Sequence, residues 1–224
     1  MFYYLLEIII KTKMKTKERK RVKNYNIITI GDSNSGKTSL VSYYINNKTI
    51  VGQVNSTIGV DFLTKKLKIK QAIKSFTFYD TSGSERFHTM VASYYKNADG
   101  VLLLFDLTNE ESFAHVKDWA DTLLKYKKLD EISLMLVGNK CDLIKNRTEI
   151  SIGKYESIAK EYQTKFYMTS ALTGEGVQDC FTDLLNRLVE ISPDPNDAEK
   201  QDDCAQSKDV IDLAEPKQEK KPCC

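Results

Sequence analysis

The sequence predicts an α/β domain built on a doubly wound, mostly parallel sheet. Three observations carry that expectation. Short apolar runs alternate with stretches of helical period along the middle of the chain. Two of those runs, Val101–Phe105 and Ile132–Val137, are apolar almost without a break, as strands buried on both faces are. A Gly-containing turn, residues 31–36, separates an apolar run from a helical stretch. Sheets of this kind place ligands at the carboxyl ends of their strands.

The elements follow in order. Tyr25–Ile30 reads as the first strand, and a helix should run from Lys37 to Asn46. Strands are expected near Asp61–Lys70 and at Ser75–Asp80, where Phe76, Phe78 and Asp80 fall on alternate positions. Helical periodicity marks Ser112–Tyr126, Ile152–Tyr162 and Val177–Ile191, with Ser151 placed to cap the second. A short strand should precede Thr169. The folded unit is therefore expected over residues 24–192.

Composition narrows the function classes. The chain has 224 residues, enough for one large domain. Lys and Arg total 33 against 31 Asp and Glu, so the near-zero net charge gives no bulk affinity for nucleic acid. The charge is unevenly spread. Residues 1–23 are an apolar then basic extension, with eight basic residues between Lys11 and Lys23. Residues 193–224 carry nine acids, five lysines and no aromatic residue, and read as a solvated, disordered tail. The apolar start is too short to span a bilayer and has its basic run on the wrong side for a secretory signal. It reads as a membrane-surface anchor, a frayed segment, or an overlong start before Met14. Five cysteines without metal-ligand spacing fit a reducing compartment rather than a disulfide framework.

Gly31-Asp-Ser-Asn-Ser-Gly36-Lys37-Thr38 fits G-x-x-x-x-G-K-[ST] between a strand and a helix. The two glycines allow the backbone torsions and close approach that a phosphate cradle needs. The amides of Asp32, Ser33, Asn34, Ser35, Gly36, Lys37, Thr38 and Ser39 would form an anion nest at a helix N-terminus. Lys37 offers a point charge to the β- and γ-phosphates, and the Thr38 hydroxyl can ligate Mg²⁺. Asp80, at the end of an alternating strand, can hold the same ion. Asn34 can adopt positive φ.

Val137-Gly-Asn139-Lys140-Cys-Asp142 follows a buried strand. A carboxylate at Asp142 can accept from both the ring N–H and the exocyclic amine of guanine, a pattern that adenine lacks. Asn139 can tie the loop to neighbouring backbone, and the Lys140 stem can lie over the base. Thr169-Ser170-Ala171-Leu172 would aim backbone N–H groups at the guanine carbonyl.

With these motifs in this order, the chain resembles a Ras-superfamily small GTPase, and specifically a Rab. The likeness covers Tyr25–Ile191 and rests further on Thr57-Ile-Gly-Val-Asp-Phe62, Glu85-Arg-Phe87, Tyr94-Tyr95-Lys-Asn-Ala-Asp-Gly100 and the terminal Cys223-Cys224. It implies a P-loop NTPase fold, a small G domain with a mostly parallel six-stranded sheet flanked by helices. It also implies that GTP or GDP binds with Mg²⁺, and that Thr57 and Gly83 contact the metal and γ-phosphate. The segments around Thr57 and Thr81–Val91 would be switches for effectors, exchange factors, TBC-type activators and a GDP-dissociation inhibitor or escort protein. Geranylgeranyl groups on Cys223 and Cys224 would hold the chain on the cytoplasmic face of an internal membrane, cycling with the cytosol. Tyr94 and Tyr95 are expected in the core, Trp119 half-buried beside the effector face, and His88 and His115 at the surface or in a switch.

Two departures stand out. Ser84 occupies the place of the glutamine that orients the attacking water, which implies slow hydrolysis. Ile50 falls where relatives often place an aromatic against the base, which implies faster nucleotide release. Two other classes compete: a GTP-binding scaffold that hydrolyses negligibly, and a basic-arm nucleic-acid binder resting on Lys11–Lys23.

Overall fold

A computed structural model describes residues 23–49, 57, 59–70, 72–81, 88–145, 151–194 and 211–212. Its centre is a strand that the sequence marks by apolarity alone. β1 (Asn24–Ile30) pairs in parallel with β3 (Ala72–Thr81) on one side and β4 (Gly100–Asp106) on the other. Outward from β4 come β5 (Ser133–Asn139) and β6 (Lys165–Met168), both parallel. Outward from β3 comes β2 (Val60–Ile69), antiparallel, its ten residues paired in register from Val60–Thr81 to Ile69–Ala72. The expected six-stranded, mostly parallel sheet is present. A two-residue strand, β7 (Ile211–Asp212), adds to the β2 edge in parallel, giving the order β6-β5-β4-β1-β3-β2-β7.

The unbroken apolar runs have the expected cause. In β4, Leu102 and Leu104 face one side of the sheet and Val101, Leu103 and Phe105 the other, all at 0–1 % exposure. The first side is covered by α1 (Lys37–Asn46) and α6 (Val177–Ile191) through Leu40, Val41, Tyr44, Phe181, Leu184 and Leu188. Tyr44 stacks on Phe181 with ring centroids 3.8 Å apart. The second side is covered by α2 (His88–Asn97), α3 (Glu110–Ala114), α4 (Val116–Leu124) and α5 (Ile152–Glu161). Tyr95, Trp119 and Tyr155 are the large buried residues there, with Tyr94 packed partly against them. Both tyrosines are thus core aromatics.

Most element bounds fall within two residues of expectation, but β3 begins at Ala72, three residues before the expected Ser75, and three further features differ. The helix expected over Ser112–Tyr126 divides at His115, which ends α3 and begins α4. Asn109 caps α3 with its side chain accepting from the Glu111 N–H. Ser151 occupies the N-cap position of α5 but makes no side-chain cap hydrogen bond. α2 carries no strong apolar stripe, so periodicity alone did not mark it.

The two ends of the folded unit are tied together. The Lys23 N–H donates to Asp194 Oδ2 at 3.1 Å, Lys23 Nζ to the Ser192 carbonyl at 3.1 Å, and the Tyr25 hydroxyl to the same carbonyl at 3.0 Å. Among the described residues no helix is long and apolar enough to cross a membrane. Residues 1–22, Ile50, Gly83, Ser84, Glu85–Phe87, Cys204, Cys223 and Cys224 lie outside the described residues. Cys141 and Cys180 are buried and in no disulfide.

Candidate nucleotide site

The phosphate-loop, Asp80, Asn139–Asp142 and Thr169–Leu172 motifs lie at the carboxyl edge of the sheet, whereas Tyr94–Gly100 leads into the start of β4 at the opposite edge. The loop after β1 carries Asp32–Gly36, β3 ends at Asp80 and Thr81, β4 at Asp106, β5 at Asn139, and Thr169–Leu172 follow β6. This is where the strand order reverses about β1, the position at which doubly wound sheets open a crevice.

The loop after β1 is wound around Lys37. Lys37 Nζ donates to the Gly31 carbonyl at 2.9 Å and to the Asp32 carbonyl at 2.7 Å. Ser35 closes the turn from its N–H and its hydroxyl onto that same Asp32 carbonyl. Asn34 has φ 63°, the left-handed conformation that the sequence reading allowed it. Gly36, at φ 90°, is the N-cap of α1, and a Cβ there would stand 2.2 Å from Asn139 Nδ2. Ser33 and Asn34 are exposed, while Thr38 and Ser39 begin the first turn of α1. Burial lowers the Lys37 pKa to about 8, against the opposing pull of Asp80 and Asp32.

Three oxygen-bearing side chains meet beside this loop. Thr38 Oγ1 donates to Asp80 Oδ2 at 2.6 Å and lies 3.0 Å from Thr57 Oγ1, which is itself 3.4 Å from Asp80 Oδ2. They come from α1, β3 and a loop residue, separated by 19 to 42 positions. Burial pushes the Asp80 carboxyl up, only partly offset by hydrogen bonds from Thr38, Thr57 and Thr29 and by the Lys37 charge. Two hydroxyls and a desolvated carboxylate form an all-oxygen donor set, suited to a hard divalent cation such as Mg²⁺.

Asn139 joins the loops. Its Nδ2 donates to the Ser35 carbonyl at 2.9 Å, and its Oδ1 accepts from Thr169 Oγ1 and the Ala171 N–H, both at 3.2 Å. The side chain is 1 % exposed. Asp142 Oδ1 accepts from Ser170 Oγ, which in turn accepts from the N–H groups of Leu172 and Thr173. The Ala171 and Leu172 amides expected to face a base carbonyl are thus engaged within the loop, by Asn139 and Ser170 respectively. Leu172 is 56 % exposed. Lys140 takes φ 65° and donates from Nζ to Asp106 Oδ2 at 2.6 Å. Burial raises the Asp106 carboxyl, but hydrogen bonds from Lys140 and Thr108 outweigh it and leave the pKa lowered.

Three residues escaped the sequence reading or were read differently. Asp106 was not singled out, though a carboxylate at the end of a buried strand is a signal of the kind that marked Asp80. Trp119 and His115 both turn inward to the phosphate loop. Trp119 Nε1 donates to Asp32 Oδ1 at 2.8 Å, and His115 Nδ1 lies 2.7 Å from Asp32 Oδ2. Trp119 is 7 % exposed rather than half-buried at an effector face. These contacts span 83 and 87 positions, and no local motif announces them.

Comparison with known proteins agrees with this geometry. The model of the Ras family matches residues 26–190. This chain belongs to the Ras family, on its Rab branch. Rab-21 from Bos taurus is 39 % identical over 170 residues, covering 76 % of this chain and 75 % of that protein. Rab-10 from Caenorhabditis elegans is 32 % identical over 202 residues, covering 89 % and 96 %. Rab-1D from Dictyostelium discoideum is 35 % identical over 175 residues, covering 76 % and 84 %. Ras-family proteins are GTPases that bind GTP and GDP. In that setting Asp106 acts by holding the Lys140 head. Asp106→Asn should speed GDP release about fivefold, the effect of weakening a largely buried charge-assisted hydrogen bond. Release of a fluorescent GDP analogue measures this, and an unchanged rate would refute it.

Proposed function

We propose that this Rab is a GDP/GTP switch of intracellular membrane traffic that recruits effectors when it holds GTP. The observation that carries the reading is the meeting of Thr38, Thr57 and Asp80 beside the Lys37 loop. It supports a site for Mg²⁺ with a nucleoside di- or triphosphate, the amides of Asp32–Ser39 taking the phosphates. Asp142 would read guanine through its free oxygen lone pairs, and Lys140 would cover the base. The Ser170–Leu172 loop would supply amides once the base competes with Asn139 and Ser170 for them. Thr38, Thr57 and Asp80 would hold Mg²⁺, which would supply positive charge against that of the phosphates; Lys37 would add a second positive charge, and Gly83 an amide. The purified full chain should carry GDP or GTP in a near one-to-one ratio, and ATP should not displace it. Empty protein, or equal competition by ATP, would overturn the reading.

Hydrolysis is proposed to be slow because Ser84 stands where a water-orienting glutamine is usual. A serine hydroxyl ends two bonds closer to the backbone than a glutamine amide, and a TBC-type activator would have to supply the missing group in trans. Single-turnover hydrolysis by Ser84→Gln should exceed that of the natural chain by about ten- to a hundredfold, the usual reach of a positioned proton-handling group. Equal rates would refute it. The alternative, a GTP-binding scaffold that does not turn over, rests on the same serine. A multiple-turnover assay with a TBC-type activator separates the two.

Phe62 (65 % exposed) and Leu63 (37 %), on opposite faces of β2, each offer an exposed apolar side chain of the kind that effectors use. Exchange factors and a GDP-dissociation inhibitor or escort protein would read the same switches. Geranylgeranylation of Cys223 and Cys224 is proposed to place the chain on the cytoplasmic face of an internal membrane, with release to cytosol. Mass spectrometry of the native protein tests this, and an unmodified terminus would remove the anchor.

A further inference from the structure

We infer that Trp119 and His115 are positioning residues for the phosphate loop, and that the charge on the His115 imidazole tunes how firmly the loop holds a nucleotide. The inference rests on the reading that this loop binds nucleotide.

Asp32 is the hub of the loop. Its carbonyl takes Lys37 Nζ and both donors of Ser35, so a shift of this residue moves the whole cradle. Its carboxylate leaves the loop and meets α4 and the junction before it. One oxygen is held by Trp119 Nε1 and the other lies against His115 Nδ1. The two partners differ in kind. Trp119 is neutral and fixed in the core beneath the sheet. His115 is 45 % exposed at its side chain, so it exchanges protons freely with solvent.

A carboxylate in a loop that gathers phosphates is a like-charge liability. An imidazolium beside it cancels that charge. A neutral imidazole with its proton on Nδ1 still donates the hydrogen bond, so deprotonation changes the electrostatics and leaves the contact. The charged groups facing His115 all favour its protonated form. Asp32 acts first, by hydrogen bond and by charge, and Glu111 on α3 and Asp118 on α4 add to it, so the imidazole pKa is raised. Lys37 faces Asp32 from the other side. The sign follows. A raised folded-state pKa means that the charged pair is complete below about pH 6.5 and is lost as pH rises through the elevated value. Nucleotide should therefore leave faster in alkaline solution.

The test uses the full chain with Mg²⁺ present. Release of a fluorescent GDP analogue is measured at about pH 6 and about pH 8 for the natural protein, His115→Arg and His115→Gln, the range over which imidazole titrates. Lys37 contributes a pH dependence common to all three, so the difference between variants is what is read. The natural chain should accelerate about three- to tenfold more than His115→Arg between the two pH values, a modest effect for a half-exposed pair. His115→Gln should be fast at both. Equal pH ratios in the natural chain and His115→Gln would overturn the inference. A second readout needs no nucleotide. The His115 imidazole, followed by NMR, should titrate above the ordinary value and return to it in Asp32→Asn; an unmoved titration also overturns the inference. Should no variant hold nucleotide at any pH, the functional reading fails, while the imidazole titration still reports on the pair.

Discussion

Asp142→Asn should lower affinity for guanine nucleotides by about 10³-fold and reverse the ranking of bases. In the structure one Asp142 oxygen takes the Ser170 hydroxyl, leaving the other for a ligand. Guanine presents two donors on that edge, the ring N–H and the exocyclic amine. An asparagine amide would set a donor against a donor, and buried groups left unpaired discriminate by about 10⁴ or more in sites built for hydrogen bonding. Xanthine carries a carbonyl where guanine carries its amine, so its triphosphate should bind the variant better than GTP. Competition among GTP, ATP and XTP against a labelled nucleotide gives the ranking. If GTP stays first by the same margin, Asp142 does not read the base.

Gly31→Ala should unfold the domain or destabilise it by more than ~4 kcal/mol, beyond the usual range for a single substitution. Gly31 has φ 132°, which L side chains rarely adopt. A Cβ would stand 2.0 Å from the Leu104 carbonyl oxygen. Leu104 lies in β4, whose pairing to β1 and β5 prevents the carbonyl from retreating. Neither a rotamer change nor a flexible neighbour relieves the clash. Denaturant unfolding of the variant gives the figure, and a loss within 1 kcal/mol, the range of ordinary surface changes, would show that the backbone can yield here.

The parts of the site that the sequence disclosed are those that chemistry compresses into a few consecutive residues. A phosphate nest needs adjacent amides, so Gly31–Thr38 is readable as a string, and Asn139-Lys140-Cys-Asp142 likewise. The buried strands were readable because a central parallel strand loses its polar face altogether. α2 was missed because its apolar residues form no strong stripe for periodicity to reveal. The break at His115 was missed because local periodicity runs on through it. Asp32 was anticipated as a backbone contributor, but its carboxylate depends on an encounter between β1 and α4 that only the folded sheet creates. The same holds for Asp106, whose partner Lys140 is 34 positions away.

The strip formed by Ile211–Asp212 against Leu67 and Lys68 sets a length scale for the chain's far end. From Asp194, the terminal Cys223 is 29 residues distant, a leash that could reach ~100 Å when fully stretched. Pinned at Asp212, Cys223 is only 11 residues away, and the reach shrinks to ~40 Å. A lipid at that cysteine would then hold the outer margin of the sheet close above the bilayer, whereas unpinning would let the G domain stand off and turn freely.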